Sequence, residues 1–320
     1  MLFRSTKAVS AFVSIMQGCN QHCTFCIVPS TRGEERSRSI EDIVDECRGL
    51  VASGVREVTL LGQIVTSYGK RDYPVRNGVG AFVQLIEAVH AIDGLERIRF
   101  TSPHPKGYGD DLVNAYGRLP KLVENAHLPL QSGSDRILKA MHRGYTRERY
   151  LDLVRQLRGV KPEIGLSTDI IVGFPGETDA DFARTLEVVE EARYDAAYTF
   201  IFSPRPGTEA AAMTDAFVAP EVARERMDRL VEVVERHGLA RHEARVGRTE
   251  EVLVEGPSKK DPAMWSGRTR QGKLVHFAPA EGSVAGELAE VVVTGAASHW
   301  LRSEEHTSEL QSLAYLVCRL

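Results

Sequence analysis

Three cysteines stand close together near the start of the sequence, in "GCNQHCTFC" at positions 18 to 26. Cys19, Cys23 and Cys26 have the spacing C-x3-C-x2-C, and the whole chain has only five cysteines in 320 residues. A structural zinc site takes four ligands in a closed tetrahedron, and His22 is a poor fourth ligand because it lies directly beside Cys23. Iron–sulfur clusters are held by thiolates, four in the ordinary case. Three thiolates leave one iron of a four-iron cluster open to a substrate, so this pattern predicts such a site.

The composition is that of a soluble globular protein, with 42% hydrophobic residues, 26% charged residues and a net charge of −4. No apolar run approaches the roughly 20 residues that span a bilayer, and no cleavage pattern follows the short apolar stretch at the start. The two remaining cysteines, Cys47 and Cys318, are scattered, so the five do not form a disulfide framework. We therefore expect a cytoplasmic monomer that is not associated with a membrane.

Six short apolar runs between positions 9 and 203 alternate with amphipathic helical patterns. One helix is predicted after Ser39, which can cap it with Asp42 three positions on, and Gly54 fits its end. Strands that alternate with helices favour parallel strands with right-handed crossovers. We predict an α/β fold with a partial (β/α)6 TIM-like barrel. Each run leads into a polar or glycine-rich stretch, so these stretches should share one rim, where such barrels carry their chemistry.

A second module begins near position 246, where the pattern changes to short strands with turn residues. Its cations are candidate RNA ligands for backbone neutralisation, with Trp265 and Phe277 as stacking residues; a solvated charged face is the alternative. These cations are Lys259, Lys260, Arg268, Arg270 and Lys273. We predict a core domain at 1–245, a small all-β domain at 246–301, and a non-native tail at 302–320 that resembles translated sequencing adapter.

Several longer stretches resemble the methylthiotransferase family of radical S-adenosylmethionine (SAM) enzymes. They are "GCNQHCTFCIVPSTRGEERSR", "HLPLQSGSDRILKAMHRGYTRERY", "STDIIVGFPGETDADF" and "FIFSPRPGTEAA". The stretch "VEGPSKKDPAMWSGRTRQGKLVHF" is similar to the TRAM domain, an RNA-binding β-barrel. The resemblance implies that Cys19, Cys23 and Cys26 hold a [4Fe-4S] cluster. In this family the open iron chelates SAM, which is cleaved to methionine and a 5′-deoxyadenosyl radical.

Within that family the sequence is most similar to the branch that modifies N6-isopentenyladenosine in tRNA. This branch adds a methylthio group to C2 of N6-isopentenyladenosine at position 37, next to the anticodon. The implied partners are a tRNA anticodon stem-loop and an electron donor such as flavodoxin or ferredoxin. The ribosomal-protein branch, the threonylcarbamoyladenosine tRNA branch and, from another class, an RNA-binding scaffold without catalysis remain alternatives.

The chain departs from the family at two places. Ile64 stands where the family usually has asparagine, which puts a polar role there in doubt. Family members also carry an N-terminal domain with three further cysteines, which hold a second [4Fe-4S] cluster that binds the sulfur to be inserted. We expect that auxiliary cluster only in a full-length parent, of which this chain would be a fragment, and Cys47 is expected in the hydrophobic core.

Beyond the cluster ligands we assign no catalytic residue, and six residues are candidates for SAM binding. They are Gln131, Ser132, Asp169, Gly173, Gly176 and Arg205. The two glycines allow close backbone approach, although a tight turn would also explain them. Gln131 and Ser132 could reach the ribose or methionine of SAM, or cap a turn.

The remaining candidates are charged. Asp169 lies within an apolar strand, where an uncompensated carboxylate is costly, which favours a hydrogen-bonding role. Arg205 could bind a carboxylate or phosphate with both guanidinium nitrogens, or form a surface ion pair. Candidates for tRNA contact are Arg32, Arg36 and Arg38, and candidates for the rim are His104 and His127.

Overall fold

The first two thirds of the chain form an open half-barrel of parallel strands with helices outside it. The computed structural model describes residues 8–258, 261–280, 282–305 and 318–319. The barrel strands are β1 (Ser10–Ser14), β4 (Glu57–Leu61), β5 (Arg97–Phe100), β6 (Asn125–His127), β7 (Gly165–Val172) and β8 (Ala196–Ile201). Two short strands, β2 (Met16–Gln17) and β3 (Arg36–Ser37), pair with each other.

The helices follow the strands in the predicted alternation. They are α1 (Val28–Arg32), α2 (Ile40–Ala52), α3 (Ala81–His90), α4 (Asp110–Arg118), α5 (Asp135–Ala140), α6 (Arg147–Val160), α7 (Asp179–Ala192) and α8 (Pro220–Glu243). In α2 the Ser39 hydroxyl accepts the Asp42 N–H at 3.1 Å, and Gly54 follows the helix with a φ of 103°, as the sequence predicts. None of the helices in the described part of the chain has both the length and the apolar sequence needed to cross a membrane.

The barrel strands form two three-stranded parallel sheets, in the orders β1-β4-β5 and β6-β7-β8. A parallel bridge between Ile98 and Leu122 joins the two sheets. The predicted partial (β/α)6 barrel is confirmed. We call the carboxyl ends of its strands the rim and the amino ends the base.

One strand differs from its prediction. The run "HLPLQSG" predicts a strand from 127 to 133, but the regular strand β6 ends at His127. Pro129 has no N–H to donate to a ladder, which interrupts the regular pairing. Pairing resumes as an isolated bridge between Gln131 and Ile170, and the backbone at Gln131 has a φ of 68°. The rim here is therefore an irregular turn.

The C-terminal module is a curled six-stranded sheet in the order β12-β9-β10-β11-β14-β13. Its strands are β9 (Thr249–Pro257), β10 (Trp265–Thr269), β11 (Leu274–Phe277), β12 (Leu288–Val292), β13 (Gly295–Ala297) and β14 (Trp300–Arg302). It packs around its own core, which includes Val252, Val275, Phe277 and Leu301. Of the predicted non-native tail, Arg302 belongs to β14, while β15 (Glu304–Glu305) pairs with β16 (Cys318–Arg319). Residues 306–317 and 320 lie outside the described residues.

This module closes the base of the half-barrel. The turn between β10 and β11 reaches the first residues of the barrel strands, where the Gln271 carbonyl accepts the Asn125 amide at 2.9 Å. A Cβ on Gly165 would lie 2.5 Å from the same carbonyl oxygen, so glycine is required for this approach. Arg97, which begins β5, donates to the Arg268 carbonyl at 2.6 Å and pairs with Glu251 at 2.8 Å.

Two of the predicted RNA ligands belong to this interface. The Lys273 side chain is 3% exposed, and its ammonium lies 2.6 Å from the carboxylate of Asp195, just before β8. Arg270 pairs with Glu124 at 2.9 Å. Lys273 is buried and Arg270 is half-buried with its guanidinium on Glu124, and both placements argue against the RNA contact that the sequence predicts for them. Their charge serves instead to join the module to the barrel.

The Lys273–Asp195 pair is expected to stabilise the whole chain. Burial opposes ionisation of Asp195, yet Lys273 and Arg241 together hold the pKa of this carboxyl below its ordinary value. Breaking a buried pair costs about 3–5 kcal/mol because it leaves a charge without compensation. For Lys273→Met we expect a loss near the lower end, about 3 kcal/mol, since Arg241 remains 3.4 Å from Asp195. Urea unfolding of the apoprotein measures this change.

The double variant Lys273→Met with Asp195→Asn is the control for that measurement. It removes both charges, so it should recover part of the stability that the single substitution loses. A double variant as unstable as the sum of the two single variants would show that the pair is not coupled.

Candidate active site

The cysteine loop, residues 18–26, leaves the first barrel strand at the rim and is anchored at its beginning. Gly18 has a φ of 77°, and a Cβ there would lie 1.9 Å from the Glu34 carbonyl oxygen, so only glycine fits. The Cys19 N–H donates to the Gly33 carbonyl at 3.1 Å. Asn20 and Glu35 exchange two hydrogen bonds, at 3.1 and 3.3 Å, between backbone N–H groups and side-chain oxygens. The loop is thereby tied to the segment before β3.

The other side of the loop rests on the turn that follows α5. Thr24 donates its N–H to the Met141 carbonyl at 3.3 Å and its hydroxyl to the Ala140 carbonyl at 2.9 Å. The His142 ring nitrogen Nδ1 lies 3.1 Å from the His22 carbonyl oxygen. At Cys23, the sulfur accepts a hydrogen bond from the Arg143 guanidinium at 3.3 Å. The three thiols are thus presented on a loop fixed from two directions.

The inner face of the half-barrel carries a polar and aromatic wall beyond this loop. His127 lies 3.3 Å from the Asp169 carboxylate through Nε2 and 3.0 Å from the Ser167 hydroxyl through Nδ1. Tyr198 is the register partner of Asp169 on β8, and its ring meets His127 edge to face at 6.0 Å. Two residues on, Phe200 shares this face. Tyr198 is 61% and Phe200 52% exposed, so the wall is open to a ligand.

The environment of Asp169 in this wall agrees in part with the expectation from the sequence. It is not an uncompensated carboxylate within the core, because it faces the open barrel and contacts His127. His127 is placed on the inner face, while His104 is buried beneath the rim, where burial first and then nearby cations lower its pKa to about 3. A direct SAM contact by Asp169 stays a prediction.

The structure places Gln131 and Ser132 differently from each other. Gln131 lies at the rim with its backbone bonded to both Asp169 and Ile171. Ser132 is fully buried, and its hydroxyl accepts the Ser134 N–H at 3.3 Å. Both residues are buried, and the alternative of a turn residue describes Ser132 as it stands; a SAM contact by either residue stays a prediction.

The glycines of "GFPGE" have their N–H groups occupied within the protein. Gly173 donates to the Glu177 carboxylate at 2.8 Å, and Gly176 donates to the Ala216 carbonyl at 2.7 Å. Glu177 is itself held by the buried Arg226 guanidinium at 2.9 Å. Both glycines have positive φ, at 70° and 78°, so the tight turn is present. If they contact SAM, they do so by close approach and not through these donors.

The remaining candidates lie apart from the wall or on the surface. Arg205 is exposed, and its carbonyl accepts from Thr208. Arg38 donates to the Ser14 carbonyl at 2.7 Å and pairs with Glu46, so it joins the end of β1 to α2, whereas Arg32 and Arg36 are exposed. Ile64 is buried beside the rim.

The RNA candidates of the C-terminal module are only partly described. Lys259 and Lys260 lie outside the described residues. Arg268 is exposed and pairs with Glu255 at 3.1 Å, so its side chain remains at the surface. Phe277 is fully buried in the module's core, and the prediction that it stacks on RNA is wrong in this structure. Trp300 is an exposed aromatic residue of this module, and its ring contacts His276.

Sequence reasoning missed the residues that position the cysteine loop. Asn20 and Glu35 act through their two mutual hydrogen bonds, and Arg143 acts through its contact with Cys23, which is distant in sequence. All three lie within stretches that the family resemblance covers, but the resemblance assigns them no role.

Two family models match the chain. The model described as the radical SAM superfamily matches residues 13–189, and the model described as the TRAM domain matches residues 243–304. The first covers more than half of the chain and includes the cysteine loop and, of the inner wall, His127 and Asp169. The chain belongs to the radical SAM superfamily.

Curated relatives agree with this assignment. The chain is 55% identical over 296 residues to the tRNA-2-methylthio-N(6)-dimethylallyladenosine synthase of Opitutus terrae, covering 92% of the chain and 61% of the relative. The synthases of the same name from Nitrosospira multiformis and Moorella thermoacetica are 49% and 50% identical; the matches cover 93% and 94% of the chain, and 63% and 66% of those relatives. The chain thus spans somewhat less than two thirds of the length of these relatives.

Solved structures support the fold alone. The radical SAM methyltransferase TsrM from Kitasatospora setae superposes with a TM-score of 0.52 at 17% identity, over 64% of this chain and 39% of that one. The coproporphyrinogen III oxidase HemN from Escherichia coli gives a TM-score of 0.51 at 15% identity, over 74% of this chain and 54% of that one. Both are described as radical SAM enzymes, which agrees with the half-barrel.

The superfamily's [4Fe-4S] cluster and SAM fit the residues of this radical SAM chain. The loop offers three free thiols, and burial raises the pKa of Cys19 above its ordinary value. Within the described residues no three His, Cys, Asp or Glu side chains are grouped tightly enough to hold a single metal ion. Thiolates around a four-iron cluster stand farther apart than the ligands of one ion. Cys19, Cys23 and Cys26 would hold the cluster.

Each loop cysteine is expected to be indispensable for the cluster. Cys19→Ala, Cys23→Ala and Cys26→Ala should each abolish assembly, because a site with three thiolates has no spare ligand. Iron content after anaerobic reconstitution measures this directly. Cys47 is the matched control, since it is fully buried in the core and burial raises the pKa of its thiol to about 12. Iron loss from Cys47→Ala equal to that of the loop variants would contradict the assignment.

Proposed function

We propose that this chain is the radical SAM and TRAM portion of a tRNA methylthiotransferase that acts on C2 of N6-isopentenyladenosine at position 37. The observation that carries the proposal is the loop of three, and not four, cysteines at the rim of an open half-barrel. The substrate is inferred from relatives at 49–55% identity, whose name specifies the modified tRNA nucleoside. The TRAM match supports an RNA substrate.

Different residues of the chain bind the cofactors and hold the base. When bound, the cluster and SAM supply the one-electron cleavage that generates the hydrogen-abstracting radical. The cysteine loop holds the cluster, and the half-barrel shields the site on one side. The wall of Tyr198 and Phe200 offers ring faces to a purine and an apolar surface to its isopentenyl group, with Asp169 and His127 as polar neighbours.

The alternatives differ in what they leave unexplained. A scaffold that only binds RNA has no use for three free thiols fixed on a loop at the rim. The threonylcarbamoyladenosine branch would place a polar, charged group against the apolar rings of the wall, which the isopentenyl group suits better. A ribosomal-protein substrate is disfavoured by the names of the relatives. The electron donor, the monomeric state and the cytoplasmic location stay predictions.

A polypeptide of these 320 residues separates radical generation from sulfur insertion. It contains five cysteines, of which three lie in the loop, so it has no second set of three for an auxiliary cluster. After anaerobic reconstitution and reduction it should bind about four irons and cleave SAM slowly to 5′-deoxyadenosine. It should form no 2-methylthioadenosine on tRNA, although a full-length parent should.

Mass spectrometry of nucleosides digested from the incubated tRNA tests this division. A clear methylthio product from the 320-residue polypeptide would show that sulfur reaches the site without a second cluster. A polypeptide that takes up no iron would remove the enzyme assignment altogether.

The wall is expected to contribute to binding of the modified base. Stacking of a base on an aromatic ring is worth about 1–3 kcal/mol, so Tyr198→Ala should weaken binding of a prenylated anticodon stem-loop roughly tenfold. Fluorescence anisotropy measures the dissociation constant at fixed salt. Val246→Ala is the control, because it also truncates an exposed apolar side chain, but in the turn that follows α8. Equal effects of the two variants would place the base elsewhere.

A further inference from the structure

One buried arginine contacts the cysteine loop. Arg143 lies in the turn after α5 and is only 7% exposed. Its Nη1 donates to the Cys23 sulfur at 3.3 Å, and its Nε donates to the Tyr145 hydroxyl at 3.2 Å. The guanidinium carbon also lies 5.5 Å from the centre of the Tyr145 ring. The side chain is therefore held at two nitrogens, one of which is directed at a predicted cluster ligand.

The turn that carries Arg143 is itself rigidly held. The Tyr145 hydroxyl lies 2.9 Å from the carbonyl oxygens of both Pro129 and Leu130, which fixes it against the strand side of the rim. His142 adopts a φ of 56°, a conformation that costs free energy in a residue other than glycine. A left-handed residue of this kind commonly ends a helix, and His142 directs the chain out of α5 at the turn that carries Arg143.

The charge environment of Arg143 differs from that of comparable arginines. Four arginines are buried among the described residues, namely Arg97, Arg143, Arg226 and Arg245. Three of them pair with a glutamate within 3.0 Å: Arg97 with Glu251, Arg226 with Glu177, and Arg245 with Glu250. For Arg143 the neighbours that act on its charge most strongly are Tyr145 and Cys23.

A buried cation without an acidic partner is costly unless an anion completes its surroundings. A cluster ligated by thiolates is such an anion, and Cys23 is the sulfur that Arg143 contacts. Hydrogen bonds to cluster sulfurs are one of the features that set the reduction potential of iron–sulfur sites. The position of Arg143 therefore matches a cluster and not a carboxylate.

We infer that Arg143 is a positioning residue for the cluster. Arg143 donates an N–H···S hydrogen bond to the Cys23 thiolate and favours the reduced state of the cluster. Reduction adds one electron to the cluster and breaks no bond, so the reduced state carries one more negative charge. A fixed positive charge at the ligand sulfur stabilises that state more than the oxidised one. This inference rests on the cluster assigned to the three cysteines in the proposed function.

The midpoint potential of the reconstituted cluster tests the inference. The variants are Arg143→Met, which removes the charge and the donors, and Arg143→Lys, which keeps the charge but not the planar fork. A potentiometric titration with dithionite and redox mediators is followed by electron paramagnetic resonance. At a fixed potential we expect Arg143→Met to lower the ratio of reduced to oxidised cluster at least tenfold, which is 59 mV for one electron. Arg143→Lys should give a smaller shift in the same direction.

Arg155→Met is the matched control, since Arg155 pairs with carboxylates on the outer helices. Its cluster should have the same midpoint potential as the cluster of the wild-type chain. An Arg143→Met cluster with the wild-type midpoint potential would overturn the inference. If Arg143→Met fails to take up iron, Arg143→Lys decides: a more negative midpoint supports the inference, and an unchanged one overturns it. A wild-type chain without iron would instead overturn the cluster assignment itself.

Discussion

In the described part of the chain the six parallel strands of the half-barrel do not close on themselves, and the organisation of this molecule depends on that constraint. An interior that is just filled by side chains is typical of closed barrels of about eight strands. Here the strands stop at β8, and the inner face stays open between the first and last strands. Aromatic rings such as Tyr198 and Phe200 therefore remain exposed where a closed barrel would bury them. An open interior can admit a bulky substrate such as a base carried on RNA.

The two ends of the half-barrel have different roles. At the base, the strands begin with polar side chains, and the C-terminal module covers these with its own carbonyls and charges. Arg97 and Asp195 would each lose an ion-pair partner, Glu251 and Lys273 respectively, if the module were absent. At the rim, the strands end in turns that hold the cysteine loop between the Gly33–Glu35 segment and the turn after α5. Closing one end leaves the other free for chemistry.

The sequence predicted those features that depend on interactions between residues close together in the chain. The cap at Ser39, the alternation of strands and helices, and the burial of Cys47 each follow from residues near one another in sequence. Contacts between distant segments could not be predicted in this way. Lys273 has the appearance of an RNA ligand in a basic stretch, and only the three-dimensional structure shows that Asp195 lies opposite it. The same holds for Phe277, because one strand's inward face cannot be assigned without its partners.

The "GFPGE" segment illustrates how a glycine motif can serve a site indirectly. Its N–H groups are bonded within the protein, and Glu177 connects the turn to Arg226 on α8. Burial raises the pKa of Glu177 above its ordinary value, although the hydrogen bond from the Gly173 N–H and the charge of Arg226 oppose this shift. The glycines are needed because the turn between β7 and α7 requires positive φ at two places. The motif therefore fixes how β7 meets its helices, and through β7 it fixes where Asp169 stands on the inner wall.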